Sequence, residues 1–323
     1  MGLKSFYALP AVFELTAARK PYTYTVDKLD TYKTYIGRIC IGFMTAMISQ
    51  TVDDIVRHEI ESVRARRIIL DQLEGGPRTG TELRESIRKD MAATLIDKKG
   101  KRTVKGEKVI VTDPKLYHNT GHLEKLGIIK SKRESRERVF ELCLIAYHPV
   151  RRALKDAGLM EVARPLAYVA SIRQPDDTRP FILWLSKTRR FTPKRLMFFT
   201  EARIWKRQLR PPTDRFVTAE AKSRWDTITE WYDVPEEITG EQDSDTKHGN
   251  LGAVYDFIRG EVIKVIPTHD VIVDLSMGTP LTILALVRLA EQYSLQAIHV
   301  DSYEDERARI IQYYPRGKND ESW

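Results

Sequence analysis

Only two cysteines, Cys40 and Cys143, occur in 323 residues, and they form no close pair and no cluster with histidine. Neither a disulfide framework nor a zinc site is expected from that usage, and a reducing cytoplasm is the default setting. Long apolar runs are also missing. The longest, Ile39 to Ile48, is bounded by Arg38 and Gln50, about half of the roughly 20 residues a spanning helix requires. The N-terminus lacks the basic-then-apolar order of a signal peptide. No P-loop, complete G-x-G-x-x-G or Ser-His-Asp pattern is present. These absences lead to the expectation of a soluble cytoplasmic protein with no membrane partner and no cofactor.

Core-forming residues and charge are plentiful. The chain is 42% hydrophobic and 30% charged, enough for two or three packed domains. The formal net charge is +8, and it is not evenly spread. Between Arg64 and Arg138 stand 20 Lys and Arg against 11 Asp and Glu, so this window alone exceeds the excess of the whole chain. Positive charge confined to one region is the electrostatic footprint of an acidic partner, most often nucleic acid.

Inside that window the apolar spacing is helical. Ile68, Ile69, Leu70 and Leu73 precede a Gly-Gly-Pro stop, and Leu83 and Ile87 follow a cap at Thr79 or Thr81. A third helix is capped by Thr112 or Asp113, with Pro114 in its first turn, a stripe of Leu116, Leu123 and Leu126, and Gly127 as its stop. Two short strands, Ile128–Lys132 and Arg138–Leu144, flank the charged turn KRESRER. Three helices and a basic hairpin resemble the winged helix-turn-helix, and LYHNTGHLEKLGII resembles the recognition helix and first wing strand of that family. The resemblance implies that Lys115, Tyr117, His118, Asn119 and His122 project toward DNA, with Asn and His reading base edges. Lys132, Arg133, Arg136 and Arg138 would then meet the backbone or minor groove. Between the second and third helices, TLIDKKGKRTVKGEKVIV alternates around Gly100 and Gly106 as an inserted basic hairpin, either a phosphate-contacting arm or a solvated loop. Upstream, Ile36, Ile39, Phe43, Met47, Val52 and Ile55 mark one or two amphipathic helices, which serve a dimer contact or pack on their own chain.

From Pro165 the pattern changes to alternating short strands and helices. The expected strands are PLAYVAS, KRLMFFT, WYDVP, DVIVDLS and LQAIHVDS. The helices between them are RPFILWLSK, TAEAKSRWDTITEW, GNLGAVYDFIRGEVIKVI and PLTILALVRLAEQY. Continuous Val, Ile and Leu in the strands imply a sheet covered on both faces, hence parallel and doubly wound. Ligands in such sheets lie beyond the carboxyl ends of the strands, where strand order reverses. There the sequence offers Ser171, Arg173 and Gln174, then Thr200, then Asp274, Ser276, Met277, Gly278 and Thr279. Hydroxyls and amides at a helix N-terminus suit an anion; alternatively, Ser-Met-Gly-Thr-Pro is a tight cap.

Strand–DLSMGT–apolar helix–strand resembles the Asp-Leu-Thr-Gly-Gly-Thr-Lys segment of the CRISPR-associated Rossmann fold (CARF) sensor domains. Asp274, Ser276, Gly278 and Thr279 fall on the family loop, and Ser171 with Arg173 on its first ligand loop. Met277 stands where the family has a glycine and Pro280 where it has a lysine, and the winged helix precedes the sensor rather than following it. The resemblance implies a homodimeric, DNA-binding transcriptional regulator that senses cyclic oligoadenylate, a small anionic nucleotide, in CRISPR-associated antiviral defence. Its rivals are a ring nuclease or other nucleotide-degrading effector, and a winged-helix protein-interaction adaptor. None of the seven histidines has an arginine four to six residues before it, the spacing of the helical RNase of such effectors, and the lone Glu-x-Lys triplet, Glu220–Lys222, falls at a helix start.

The expected fold is therefore multi-domain α/β. A helical dimerisation segment occupies 1–62, a winged helix-turn-helix with its inserted hairpin 63–150, and a connecting helix 151–164. A Rossmann-like parallel α/β sensor domain occupies 165–310, with a tail at 311–323.

Overall fold

The computed structural model describes residues 51–97, 111–160, 164–173, 178–188, 192–202, 210–240, 249–301 and 310–314. The expected dimerisation helices up to residue 50, the basic hairpin over 98–110, Gln174 and most of the tail lie outside the described residues. The described residues all belong to one compact unit, Gln50–Trp323.

Thr51 starts the first helix, α1 (Val52–Ser62), through a reciprocal box. Its hydroxyl accepts from the Asp54 amide at 3.2 Å while the Asp54 carboxylate accepts from the Thr51 amide at 3.1 Å. Helix α2 (Arg64–Glu74) buries Ile68, Ile69, Leu70 and Leu73. A short strand β1 (Arg78–Thr79) enters α3 (Gly80–Asp97), where Thr79 and Glu82 form the same box. The first residues of the expected inserted hairpin are thus the last turn of α3. Then come α4 (Asp113–Lys125), β2 (Ile129–Glu134) and β3 (Glu137–Leu142), and β1 completes an antiparallel sheet of order β1-β3-β2.

Of the two alternatives for the upstream helices, the described part follows the second: Val56 and Ile60 of α1 are buried within their own chain, with Val52 and Ile55 packed beside them. One expectation changes: Leu126, expected in the buried stripe, is 37% exposed. Helix α4 ends in a left-handed turn at Gly127 (φ 70°), whose amide bonds the Glu124 carbonyl, while the Ile128 amide bonds the Leu123 carbonyl. That double bond swings Ile128 back onto Leu123 and leaves Leu126 outside.

A 3₁₀ turn (Leu144–Ala146) and α5 (Tyr147–Asp156) lead to a six-stranded sheet. Its strands are β4 (Leu166–Ser171), β5 (Pro193–Glu201), β6 (Ile228–Val234), β7 (Asp270–Asp274), β8 (Gln296–Val300) and β9 (Ile310–Tyr314), in the order β6-β5-β4-β7-β8-β9. The first five run parallel. β9, in what was expected to be tail, is an antiparallel edge strand on β8. The helices are α6 (Thr178–Thr188), α7 (Arg210–Trp225), the short α8 (Glu236–Thr239), α9 (Leu251–Val262) and α10 (Pro280–Tyr293). The segment ITEW, expected at the end of a helix, belongs to β6. α7 stops where Asp226 turns left-handed (φ 52°), the Thr227 hydroxyl bonds the Pro193 carbonyl at 2.6 Å, and the β-branched residues beyond enter the sheet.

Alternation along the strands explains their unbroken apolar runs. Ala167, Val169, Met197, Phe199, Val271 and Val273 point to one face, with Ala285, Leu286 and Leu289 of α10. Tyr168, Ala170, Leu196, Phe198 and Ile272 point to the other, with Phe181 and Trp184 of α6 and Val217 of α7. Both faces of the central strands are buried, so their middle positions are apolar on either side. The first of these cores continues through Val150 and Leu154 of α5 into the helical module.

Candidate functional site

Strand order reverses between β4 and β7, because β5 and β6 extend the sheet on one side of this pair and β8 and β9 on the other. The crevice of such a sheet opens beyond the carboxyl ends of these two strands. The structure brings the sequence-selected residues together there. Ser171 ends β4, Thr200 lies near the end of β5, Asp274 ends β7, and Ser276, Met277, Gly278 and Thr279 form the loop into α10.

The loop is held from within. Asp274 is fully buried and accepts from the Tyr168 hydroxyl and, at 2.8 Å, from the Ser276 amide. The Ser276 hydroxyl oxygen accepts from the Val300 amide at 2.6 Å, tying the loop to β8. Met277 is buried in the core beneath. Thr279 is the N-cap of α10: its oxygen accepts from the Thr282 amide at 3.4 Å, and its hydroxyl donates to the buried Glu201 carboxylate. Ser171 lies 2.9 Å from the Thr282 oxygen and 3.1 Å from the Phe199 carbonyl, and Thr200 bonds Asp233 at 3.2 Å.

Gly278 carries the tightest constraint. Its φ is +119°, and a Cβ there would stand 2.6 Å from the Cβ and Oγ of Ser171. Only glycine lets the loop cross β4 this closely. Among the described residues no acceptor meets the Met277 or Gly278 amide. Arg173 is exposed just beyond β4. The geometry therefore combines loop amides, a helix N-terminus and one exposed guanidinium, which together favour an anion. Asp274, Ser171 and Thr279 are engaged as internal supports, while Arg173 is exposed and Ser276 and Gly278 are half-buried. Sequence reasoning missed Tyr168 and Thr282 as supports. Thr282 sits three residues after the cap, the spacing of a capping box, but with Thr in place of the usual Glu or Gln.

The basic module presents a second surface. Lys115, Tyr117 and His118 of α4 are exposed, as are Lys132, Arg133, Arg136 and Arg138 of the hairpin. Asn119 does not project. It is 6% exposed, donates to the Lys115 carbonyl at 2.8 Å and accepts from Arg66 at 3.2 Å. His122 lies 3.2 Å from the Glu59 carboxylate of α1. Burial alone would raise the Glu59 carboxyl, but hydrogen bonds from Arg66 and His122 outweigh it and hold the group below its ordinary value. The helical period explains the change: Asn119 falls on the Leu116–Leu123 side of α4. Arg138 braces the hairpin to α4, meeting both Glu124 oxygens at 3.1 Å, and Lys132 pairs with Glu134 at 2.8 Å. Arg133 and Arg136 have no ion-pair partner among the described residues.

Among the described residues no cluster of His, Cys, Asp or Glu could hold a metal ion, and no helix is long and apolar enough to cross a membrane. No family model and no curated protein matches the chain. Solved structures similar to it include protein VC1899 from Vibrio cholerae (17% identity, TM-score 0.34, 48% of this chain and 34% of that one). Enterococcus italicus Csm6 bound to cyclic hexa-2′-fluoro-hexa-dAMP aligns at 15% identity and TM-score 0.33, over 43% of this chain and 34% of that one. Can2 from Sulfobacillus thermosulfidooxidans, in complex with cyclic tetra-adenylate, aligns at 14% identity and TM-score 0.30, over 45% and 36% respectively. The chain thus spans about a third of the length of each.

Proposed function

We propose that this protein is a two-part switch: a CARF-type sensor, residues 165 to 314, governs a winged helix-turn-helix, residues 63–150, that binds double-stranded DNA. The ligand is a small anionic nucleotide of the cyclic oligoadenylate class, and the working form is a cytoplasmic homodimer regulating transcription in CRISPR-associated defence. One observation carries the sensor reading. At the reversal of strand order, Gly278 presses the loop against Ser171, no backbone acceptor among the described residues meets the Met277 or Gly278 amide, and Arg173 is exposed. Loop amides at a helix N-terminus and a guanidinium suit a phosphodiester better than an apolar ligand. The DNA reading is supported by the exposed cations of α4 and the hairpin, including Arg133 and Arg136, which have no ion-pair partner among the described residues.

Thermal melts of the full chain with cyclic tetra-adenylate, cyclic hexa-adenylate and AMP test the sensor half. A ligand that binds only the folded state at 100 times its Kd stabilises it by about 2.7 kcal/mol, so one cyclic species is expected to raise Tm by several degrees, and Arg173→Ala to abolish the shift. No shift with either cyclic species would sink the sensor reading. Titration with duplex DNA at two salt concentrations tests the other half, since phosphate contacts release counterions and affinity must fall as salt rises.

A further inference from the structure

The strand pair that ends at the switch point begins at a buried charge cluster belonging to the helical module. Arg151 of α5 is 3% exposed. Its Nε donates to Glu74 at 2.9 Å, and its two terminal nitrogens donate to the Ile266, Pro267 and His269 carbonyls at 3.1, 2.7 and 2.5 Å. A further bond of 3.4 Å reaches the Asp270 side chain, the first residue of β7. Glu74 is the last residue of α2. Its carboxylate also accepts from Arg164, two residues before β4, at 2.8 and 2.6 Å. One carboxylate of the helical module is therefore bonded to cations at the amino ends of both β4 and β7.

Those strands are paired in register from Leu166↔Asp270 to Ala170↔Asp274. Their carboxyl ends hold Ser171 and the Ser276–Thr279 loop. A third link runs parallel to them. α10 starts at the Thr279 cap and ends at Ser294, whose carbonyl accepts from Arg152 at 2.9 Å, and Arg152 in turn bonds Asp53 of α1 at 2.6 Å. Buried ion pairs are poor sources of stability against apolar packing, and their better-attested use is to specify one arrangement over another. Here they fix the helical module to the amino ends of the two strands whose other ends form the candidate site.

We propose that β4 and β7 are the transmission element of this protein and that Glu74, held by Arg151 and Arg164, is the residue through which the helical module responds to the switch-point loop. The inference rests on the sensor reading only for what displaces the loop. Two discrete placements of the strand pair would then bias α2 and, through the shared core, the exposed face of α4.

Hydrogen–deuterium exchange on the full chain, without nucleotide, tests it. Gly278→Ala perturbs the carboxyl end, because the new Cβ would meet Ser171; Ser171→Ala is the milder perturbation should that variant not fold. Exchange in the last turn of α2, residues 70–74, is expected to speed up about tenfold, within the range usual for coupled sites. In a Glu74→Gln background the same perturbation is expected to change it by less than about twofold. An equal response in both backgrounds, or none in the unmodified one, overturns the proposal. If Glu74→Gln does not fold, Arg164→Gln replaces it, since it leaves Arg151 its carboxylate; there the response is expected to fall at least about threefold, and an unchanged response overturns the proposal. Because no nucleotide is added, failure of nucleotide binding would sink the sensor reading and leave this result standing, and the reverse also holds.

Discussion

Gly278 and His148 show how much a single position decides. At φ +119°, with Ser171 against it, Gly278 tolerates no side chain without displacement of β4 or the loop. Gly278→Ala is expected to lower stability by about 1–3 kcal/mol, the usual scale of backbone strain. Gly260, inside α9 with open space where a Cβ would go, should instead gain about 0.5–1 kcal/mol on replacement by Ala. Urea unfolding of the two variants measures the contrast, and an equal effect would mean that the Ser171 contact is unimportant. His148 is buried in α5, and burial first, then the charges of Arg151 and Arg152, push its pKa well below 6.5. It is held neutral in the folded chain and charges in the unfolded one. Stability it contributes above pH 6.5 is therefore lost as pH falls below that value, by at most about 1.4 kcal/mol per pH unit. Replacing His148 with Leu is expected to flatten the stability profile between pH 6.5 and 5, as read by denaturant unfolding at a series of pH values.

At the level of elements, α4 and its hairpin divide into a supporting side and an open side. Asn119 sits on the supporting side, bonded to Arg66, so Asn119→Ala should cost about 1 kcal/mol of stability. His118→Ala on the open side should cost almost none and weaken binding to DNA. Arg133 and Arg136 stand free of the brace that occupies Arg138. Mutating each to Ala is expected to reduce the slope of log affinity against log salt by about 1 per residue, measured by fluorescence anisotropy with duplex DNA. An unchanged slope for both would count against the proposed DNA surface. The hydrophobic alternation and caps that set these elements were legible in the sequence. Leu126 and Asn119 were not, because their placement depends on how α4 ends at Gly127 and how it lies on α1 and α2.

Across the whole molecule, the two halves share one core and are joined by buried charge. Glu74 is the carboxylate at that junction. Burial alone would raise it, but Arg164 and Arg151 hold it below the ordinary glutamate value of 4.5. A depressed carboxyl stabilises above that value and ceases to do so as pH falls through it. Stability is therefore expected to fall with pH below about 4.5, and Glu74→Gln to make that fall shallower, as read by urea unfolding at a series of pH values. Glu74→Ala, which leaves the buried Arg151 without its carboxylate, should cost about 3–5 kcal/mol, read as a fall in the urea midpoint.

The sequence by itself determined the parts. Period-two apolar strands, period-3.6 helices, Thr–x–x–Glu and Thr-Pro caps and left-handed glycines are local, and neighbours along the chain suffice to specify them. It also placed the charge, and it marked Ser171 and Gly278 as residues at strand ends. Only the tertiary structure decided that Gly278 lies on Ser171, that residues 310–314 close the sheet, that β6 begins at Ile228, and that Asn119 faces inward. It alone joined Glu74 to Arg151 and Arg164. The bonds of that charge cluster join residues 77 to 119 positions apart, and burial, not local preference, selects them. No pattern along the chain encodes which distant partner a buried charge will find.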